Sequence, residues 1–90
     1  MQPGRGDIRY NLAIAYLQSG DTQKAELELR KMLFVLPDSA EGHLALGTLL
    51  LEAGNNEDAA KEFHRVLLLQ PSNREAAQLL TQAKAAPSTN

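Results

Sequence analysis

The stretch that decides the fold is a 34-residue unit that occurs twice in succession. Residues 6–39 read GDIRYNLAIAYLQSGDTQKAELELRKMLFVLPDS, and residues 40–73 read AEGHLALGTLLLEAGNNEDAAKEFHRVLLLQPSN. Seven positions are identical between the two units, where chance gives about two in a window of this length. These positions are Leu12/Leu46, Leu17/Leu51, Gly20/Gly54, Ala25/Ala59, Glu28/Glu62, Leu33/Leu67 and Pro37/Pro71. The chain is therefore organised by an internal repeat.

Each unit contains two apolar stretches with helical spacing, separated by a turn. Gly20 and Gly54 supply the left-handed conformation that ends a helix, and Pro37 and Pro71 end the second helix of each unit. The predicted helix N-caps are Asp21, Asp38 and Ser72. The pattern predicts five helices, near residues 7–19, 22–36, 40–53, 56–70 and 73–85.

These residues resemble the tetratricopeptide repeat (TPR) motif. The matching residues are Leu12, Ala13, Tyr16, Gly20, Ala25, Leu29 and Pro37 in the first unit, and Leu46, Gly47, Leu50, Gly54, Ala59, Phe63 and Pro71 in the second. The resemblance implies an all-α fold: two antiparallel helix pairs in a right-handed superhelical solenoid, followed by a C-terminal capping helix. It also implies that Ala25 and Ala59 lie where two helices cross. Arg9 and His43 depart from the motif, which has an aromatic residue there.

The repeat phase also predicts the organisation of the whole chain. Pro3 is in phase with Pro37 and Pro71, so the N-terminal residues resemble a loop between repeats, and we expect an excerpt of a longer repeat array. The predicted segments are a loop over 1–5, repeats over 6–39 and 40–73, a capping helix over 74–86 and a disordered tail over 87–90.

Composition excludes several classes of function. Nine basic and eleven acidic side chains give a net charge of −2, which disfavours a nucleic-acid footprint. The absence of cysteine excludes disulfides and thiolate metal sites. No apolar run is long enough to insert in a membrane, and the N-terminus lacks the apolar core of a signal peptide. The compartment stays unknown, with the cytoplasm slightly favoured.

No pattern in the sequence predicts catalysis. His43 and His64 lie on different predicted helices, without the spacing of a metal-binding motif or a nucleophile pair, and no glycine-rich phosphate loop is present. We therefore expect no enzyme activity, no catalytic or metal-binding residues and no cofactor. Structural or surface roles are favoured for both histidines.

The resemblance places the candidate site on the concave surface, which the first helix of each pair lines and where TPR proteins hold peptides or helices. The predicted peptide-binding groove consists of Tyr10, Asn11, Ile14, Leu17, Leu44, Thr48, Leu51 and Gln78, with Ala45, Glu52 and other neighbours around them. An apolar groove predicts a protein or peptide partner, as in a scaffold or adaptor. The alternative interpretation is that Leu44 and Leu51 only pack against neighbouring helices.

Two further alternatives concern charge and self-association. Asp7, Glu41 and Glu75 stand one repeat apart, either as helix-start carboxylates or as an acidic strip that selects a partner with Lys or Arg. Two repeats are also fewer than the usual three. The alternative function is therefore structural: a spacer, or a homo-oligomer formed through exposed repeat ends that include Ile8, Ala15 and Tyr16.

Overall fold

The computed structural model describes residues 5–85, with side chains from residue 8 onward, as five α-helices and no strand. The helices are α1 (Arg5–Gln18), α2 (Thr22–Val35), α3 (Ala40–Glu52), α4 (Asn56–Leu69) and α5 (Arg74–Ala85). Every end lies within two residues of its prediction. The proposed tail over 87–90 and most of the N-terminal loop lie outside the described residues.

The first helix of each pair, α1 and α3, ends in the same kind of glycine turn. Gly20 and Gly54 adopt φ values of +84° and +88°. In the first turn the Gly20 N–H donates to the Leu17 carbonyl and the Asp21 N–H to the Tyr16 carbonyl. The second turn repeats both bonds one period later. This pair of bonds is the Schellman motif, which closes a helix with a left-handed residue that glycine adopts without strain.

The caps of the other helices differ in part from their prediction. Asp21 caps α2 as predicted, since its carboxylate accepts from the Lys24 N–H. However, α3 is capped by Ser39 rather than Asp38. Likewise Asn73, not Ser72, accepts from the first turn of α5, at 2.8 Å from the Ala76 N–H.

Turn geometry explains this shift of one residue. Pro37 and Asp38 are the central residues of a turn that the Ser39 N–H closes by donating to the Leu36 carbonyl at 3.1 Å. The Asn73 N–H closes the same turn in the second repeat. The first residue free to cap the helix is therefore the one after the turn.

The helices form antiparallel pairs stacked into a helical solenoid. α1 packs on α2 and α3 on α4, while α5 covers α4, so the core runs between the pairs. The core residues are Ala13, Ala25, Leu29, Leu46, Leu49, Leu50, Ala59, Phe63 and Ala83. Ala25 and Ala59 are both fully buried, where the resemblance placed helix crossings. Over the described residues no helix has the length and apolar character needed to cross a bilayer.

Candidate functional site

The first helices of the two pairs, α1 and α3, which we call the inner helices, border a groove of about 390 Å³. Its walls come from successive turns of α1 and α3, and Thr22 and Glu75 contribute from the starts of α2 and α5. The lining residues are Tyr10, Ile14, Leu17, Thr22, Glu41, Leu44, Ala45, Thr48, Leu49, Glu52 and Glu75. We call this surface the inner groove.

The structure brings five of the eight predicted groove residues together. Those five are Tyr10, Ile14, Leu17, Leu44 and Thr48. Of the other three, Asn11 and Gln78 are exposed outside the lining, and Leu51 is half-buried against the core. The repeat phase thus predicts which helices border the groove. It does not distinguish a side chain that lines the groove from one on an adjacent face of the same helix.

Two lining residues were missed by the sequence interpretation. Thr22 begins α2, and the glycine turn at Gly20 brings it to the end of the groove. Leu49 is almost fully buried in the core yet still reaches the groove floor. Periodicity assigns each residue to one face of its helix. It therefore does not predict a side chain that contacts both the core and the groove.

Apolar side chains dominate the groove floor, and the charged residues that line it are all acidic. Glu41, Glu52 and Glu75 line it, and no basic residue does so among the described residues. The Asp7 side chain lies outside the described part, which leaves two members of the predicted acidic strip at the groove. The Thr48 hydroxyl donates to the Leu44 carbonyl at 2.8 Å, so its oxygen can still accept from a bound peptide N–H.

His43, the more buried of the two histidines, has a structural role. Its Nδ1 lies 2.7 Å from Glu62 Oε1 on α4, and its Nε2 lies 2.7 Å from the Pro37 carbonyl. Both ring nitrogens therefore have partners within the fold. His64 is exposed on α4. Within the described residues no group of three or more His, Cys, Asp or Glu is placed to hold a metal ion.

The same cross-helix pair occurs in the first repeat. Arg9 Nη1 donates to Glu28 Oε1 at 3.3 Å, and these residues stand one period before His43 and Glu62. A basic residue on the inner helix thus binds a glutamate on the outer helix in both repeats. Glu28 and Glu62, which stand one period apart, thus have partners at the same position of the inner helix, the position where the motif has an aromatic residue.

Comparison with known proteins agrees with the repeat architecture. The family model for the tetratricopeptide repeat matches residues 28–83. The chain belongs to the tetratricopeptide repeat family. TPR domains generally mediate protein–protein interactions and are typically non-catalytic.

One curated relative is the type IV pilus assembly protein PilF of Pseudomonas aeruginosa. It is 33% identical to this chain over 67 residues. The alignment covers 74% of this chain but 27% of PilF, so the chain spans about a quarter of the length of that relative. The similarity therefore concerns a repeat segment and not the whole of PilF.

Proposed function

We propose that this TPR domain is an interaction module that binds an apolar peptide segment or helix of a partner protein in its inner groove. The observation that carries the proposal is the apolar lining shared by two consecutive inner helices, with Ile14 and Leu17 on α1 facing Leu44 on α3. Apolar area removed from water contributes about 25 cal/mol per Å². A partner side chain seated between the two helices would bury apolar surface on both sides.

The charge of the inner groove restricts the kind of partner segment that can bind there. Glu41, Glu52 and Glu75 surround the apolar floor with negative charge. Opposite charges across an interface speed association and suppress wrong partners. The preferred ligand is therefore an apolar segment with Lys or Arg on its flanks. Glu41 also lies in the first turn of α3, where its carboxylate interacts favourably with the helix dipole. It therefore contributes both to helix stability and to the negative charge of the groove.

The similarity to PilF favours a partner within a multiprotein assembly. PilF is named for the assembly of the type IV pilus. Pilus components are thus the first proteins to test as partners of this domain, and segments with an apolar centre and basic flanks are the first regions to test within them.

Replacing Ile14 with Ala should weaken peptide binding about tenfold with little change in stability. Ile14 is half-buried and lines the groove without belonging to the core or its packed neighbours. Its loss removes ligand contacts worth about 1.4 kcal/mol, which corresponds to a factor of ten. Binding would be measured by NMR titration with an apolar peptide flanked by Lys, and with the same peptide flanked by Glu.

The matched control is Ile8→Ala, which makes the same change at a residue of α1 that is 64% exposed and lies outside the groove. This variant should bind the Lys-flanked peptide like the unchanged domain. Chemical-shift changes confined to the outer helices α2 and α4 would contradict the proposal. Equal binding of the Glu-flanked peptide would contradict the acidic selection.

A second candidate function is self-association through the open face of α1. Ile8 is 64% and Leu12 is 39% exposed, whereas their counterparts one repeat later, Gly42 and Leu46, are buried against α2 and the core. The same helix face is therefore covered in the second repeat and uncovered in the first. A second copy that covered it would bury apolar surface in the way that α2 covers α3.

If this candidate is correct, sedimentation should show a dimer that forms as the concentration rises, and Leu12→Glu should abolish it. A charge at a buried contact is costly because it loses its hydration. Leu27→Glu is the control, since Leu27 is 52% exposed and lies on α2. A protein that stayed monomeric at millimolar concentration would contradict self-association. The proposal that the inner groove binds a partner would not be affected.

A further inference from the structure

A second and larger groove, of about 580 Å³, lies between α4 and α5. We call it the outer groove. It is lined by Ala60, Lys61, His64, Arg65, Leu68, Leu80 and Lys84. None of these residues belongs to the inner groove, so the two surfaces are distinct. Leu68 is 70% exposed, so an occupant of the groove would remove its apolar surface from water.

The polar groups of the outer groove are basic. Lys61, Arg65 and Lys84 are all exposed around the apolar floor, and no acidic residue lines it within the described part of the chain. Lys61 has a weak, exposed pair with Asp58 at 4.0 Å. Among residues 8–85, neither Arg65 nor Lys84 has a carboxylate within 4.0 Å. Two of the three cations are thus available to a ligand.

The repeat shows that the α5 wall of this groove corresponds to a surface on which a helix packs one period earlier. One period earlier, Leu46 and Leu50 of α3 are 1% and 3% exposed because α4 packs on that side of α3. Their counterparts on α5 are Leu80, which is half-buried, and Lys84, which is exposed. In the second repeat α4 covers that side of α3, whereas α5 keeps it open. The α4 wall of the groove differs, because the counterparts of Lys61 and Leu68 on α2, Leu27 and Phe34, are 52% and 89% exposed.

Two residues of α5 disfavour another helix of the repeat as the occupant. A Cβ at Gly47 would lie 2.7 Å from Phe63 Cε1, so only glycine lets α4 approach α3 with its aromatic ring. The counterpart of Gly47 on α5 is Thr81, whose side chain prevents such an approach. Lys84 replaces Leu50 and puts an ammonium group where a repeat helix presents apolar side chains.

We infer that the outer groove binds an amphipathic helix of a partner protein that carries carboxylates beside an apolar stripe. Its apolar side chains pack on Leu68 and Leu80, and its Asp or Glu residues pair with Arg65 and Lys84. Arg65 on α4 and Lys84 on α5 lie on the two walls of the groove, so carboxylates on both sides of the apolar stripe of the ligand match them. The chemistry is opposite to that of the inner groove, and the two sites select different partners.

The test uses two helical peptides of about 14 residues, each with Leu residues one turn apart, as in helix-in-groove recognition. One peptide carries Glu beside the Leu stripe and the other carries Lys. Fluorescence anisotropy measures their binding to the unchanged domain and to the variant Arg65→Glu/Lys84→Glu. The matched control is Lys31→Glu/Arg74→Glu, which reverses the same number of exposed charges outside both grooves.

The expected result is that the Glu peptide binds the unchanged domain and the control, and that the groove variant binds it at least about tenfold more weakly. Leu68→Ser, a change at an exposed site, should weaken binding in the same direction. Circular dichroism would verify that each variant is folded. The Lys-flanked ligand of the inner groove should bind the groove variant normally, which separates failure of this inference from failure of the proposed function.

Three results would overturn the inference. They are no binding of the Glu peptide, equal binding of both peptides, or equal binding of the Glu peptide to the groove variant and the unchanged domain. Sedimentation that showed a dimer abolished by Arg65→Glu/Lys84→Glu would also overturn it, because the occupant would then be a second copy of this chain.

Discussion

Phe63→Ala should destabilise the domain by about 3–5 kcal/mol, which is the range for removing a large aromatic side chain from a core. Phe63 is fully buried on α4, and its ring packs against α3 at Gly47. A domain of this size has a free energy of unfolding of about 5–10 kcal/mol. We therefore expect the loss of about half of the free energy of unfolding, because the cavity lies in the contact between the two helices of the second repeat.

Phe34→Ala is the matched control, because it makes the same substitution one helix pair away on a side chain that is 89% exposed. Its free energy of unfolding should stay within about 0.5 kcal/mol of the unchanged domain. Urea denaturation followed by circular dichroism would compare the variants. Similar losses for both would mean that α4 does not pack on α3 as described here.

Ala59→Leu should destabilise the domain by about 1–3 kcal/mol through overpacking. Ala59 is fully buried on α4, close to the crossing with α3, where a larger side chain pushes the helices apart. For a domain of this size each kcal/mol lowers the melting temperature by about 4–8 °C. Thermal unfolding should therefore show a clearly lower melting temperature for this single substitution.

The neighbouring residue provides the control. Ala60 is half-buried at the edge of the core, so Ala60→Leu should change the melting temperature much less than Ala59→Leu. A harmless Ala59→Leu combined with a harmful Ala60→Leu would show that the face assigned to α4 is rotated. The helix faces given to the inner groove would then have to be reassigned as well.

The helices and their order are determined by local features of the sequence. Gly20 and Gly54 end the inner helices, and each prediction rested on the φ value that glycine adopts without strain. Pro37 and Pro71 stop the outer helices because proline has no N–H to continue a helix. Such features act between residues close in the chain, so the helix bounds could be predicted within two residues.

The contacts between the two helices of each repeat could not be predicted from the sequence. Arg9 and His43 depart from the motif, and only the folded structure shows that each binds a glutamate on the outer helix. The shift of the cap from Asp38 to Ser39 likewise depends on a turn whose hydrogen bond the sequence does not display. These contacts link residues that are distant in the chain or oriented by a turn, so periodicity alone cannot assign them.

The inner and outer grooves could likewise be predicted only in part from the sequence. Repeat phase predicted the inner groove and most of its lining, since equivalent residues of stacked helices share a face. The phase cannot show that Leu51 turns toward the core, or that Lys84 lies beside Arg65 from another helix. A surface forms between elements, and its charge depends on which residues those elements bring together. The sequence by itself therefore determined the helices and the repeat, whereas only packing decided which side chains meet at each groove.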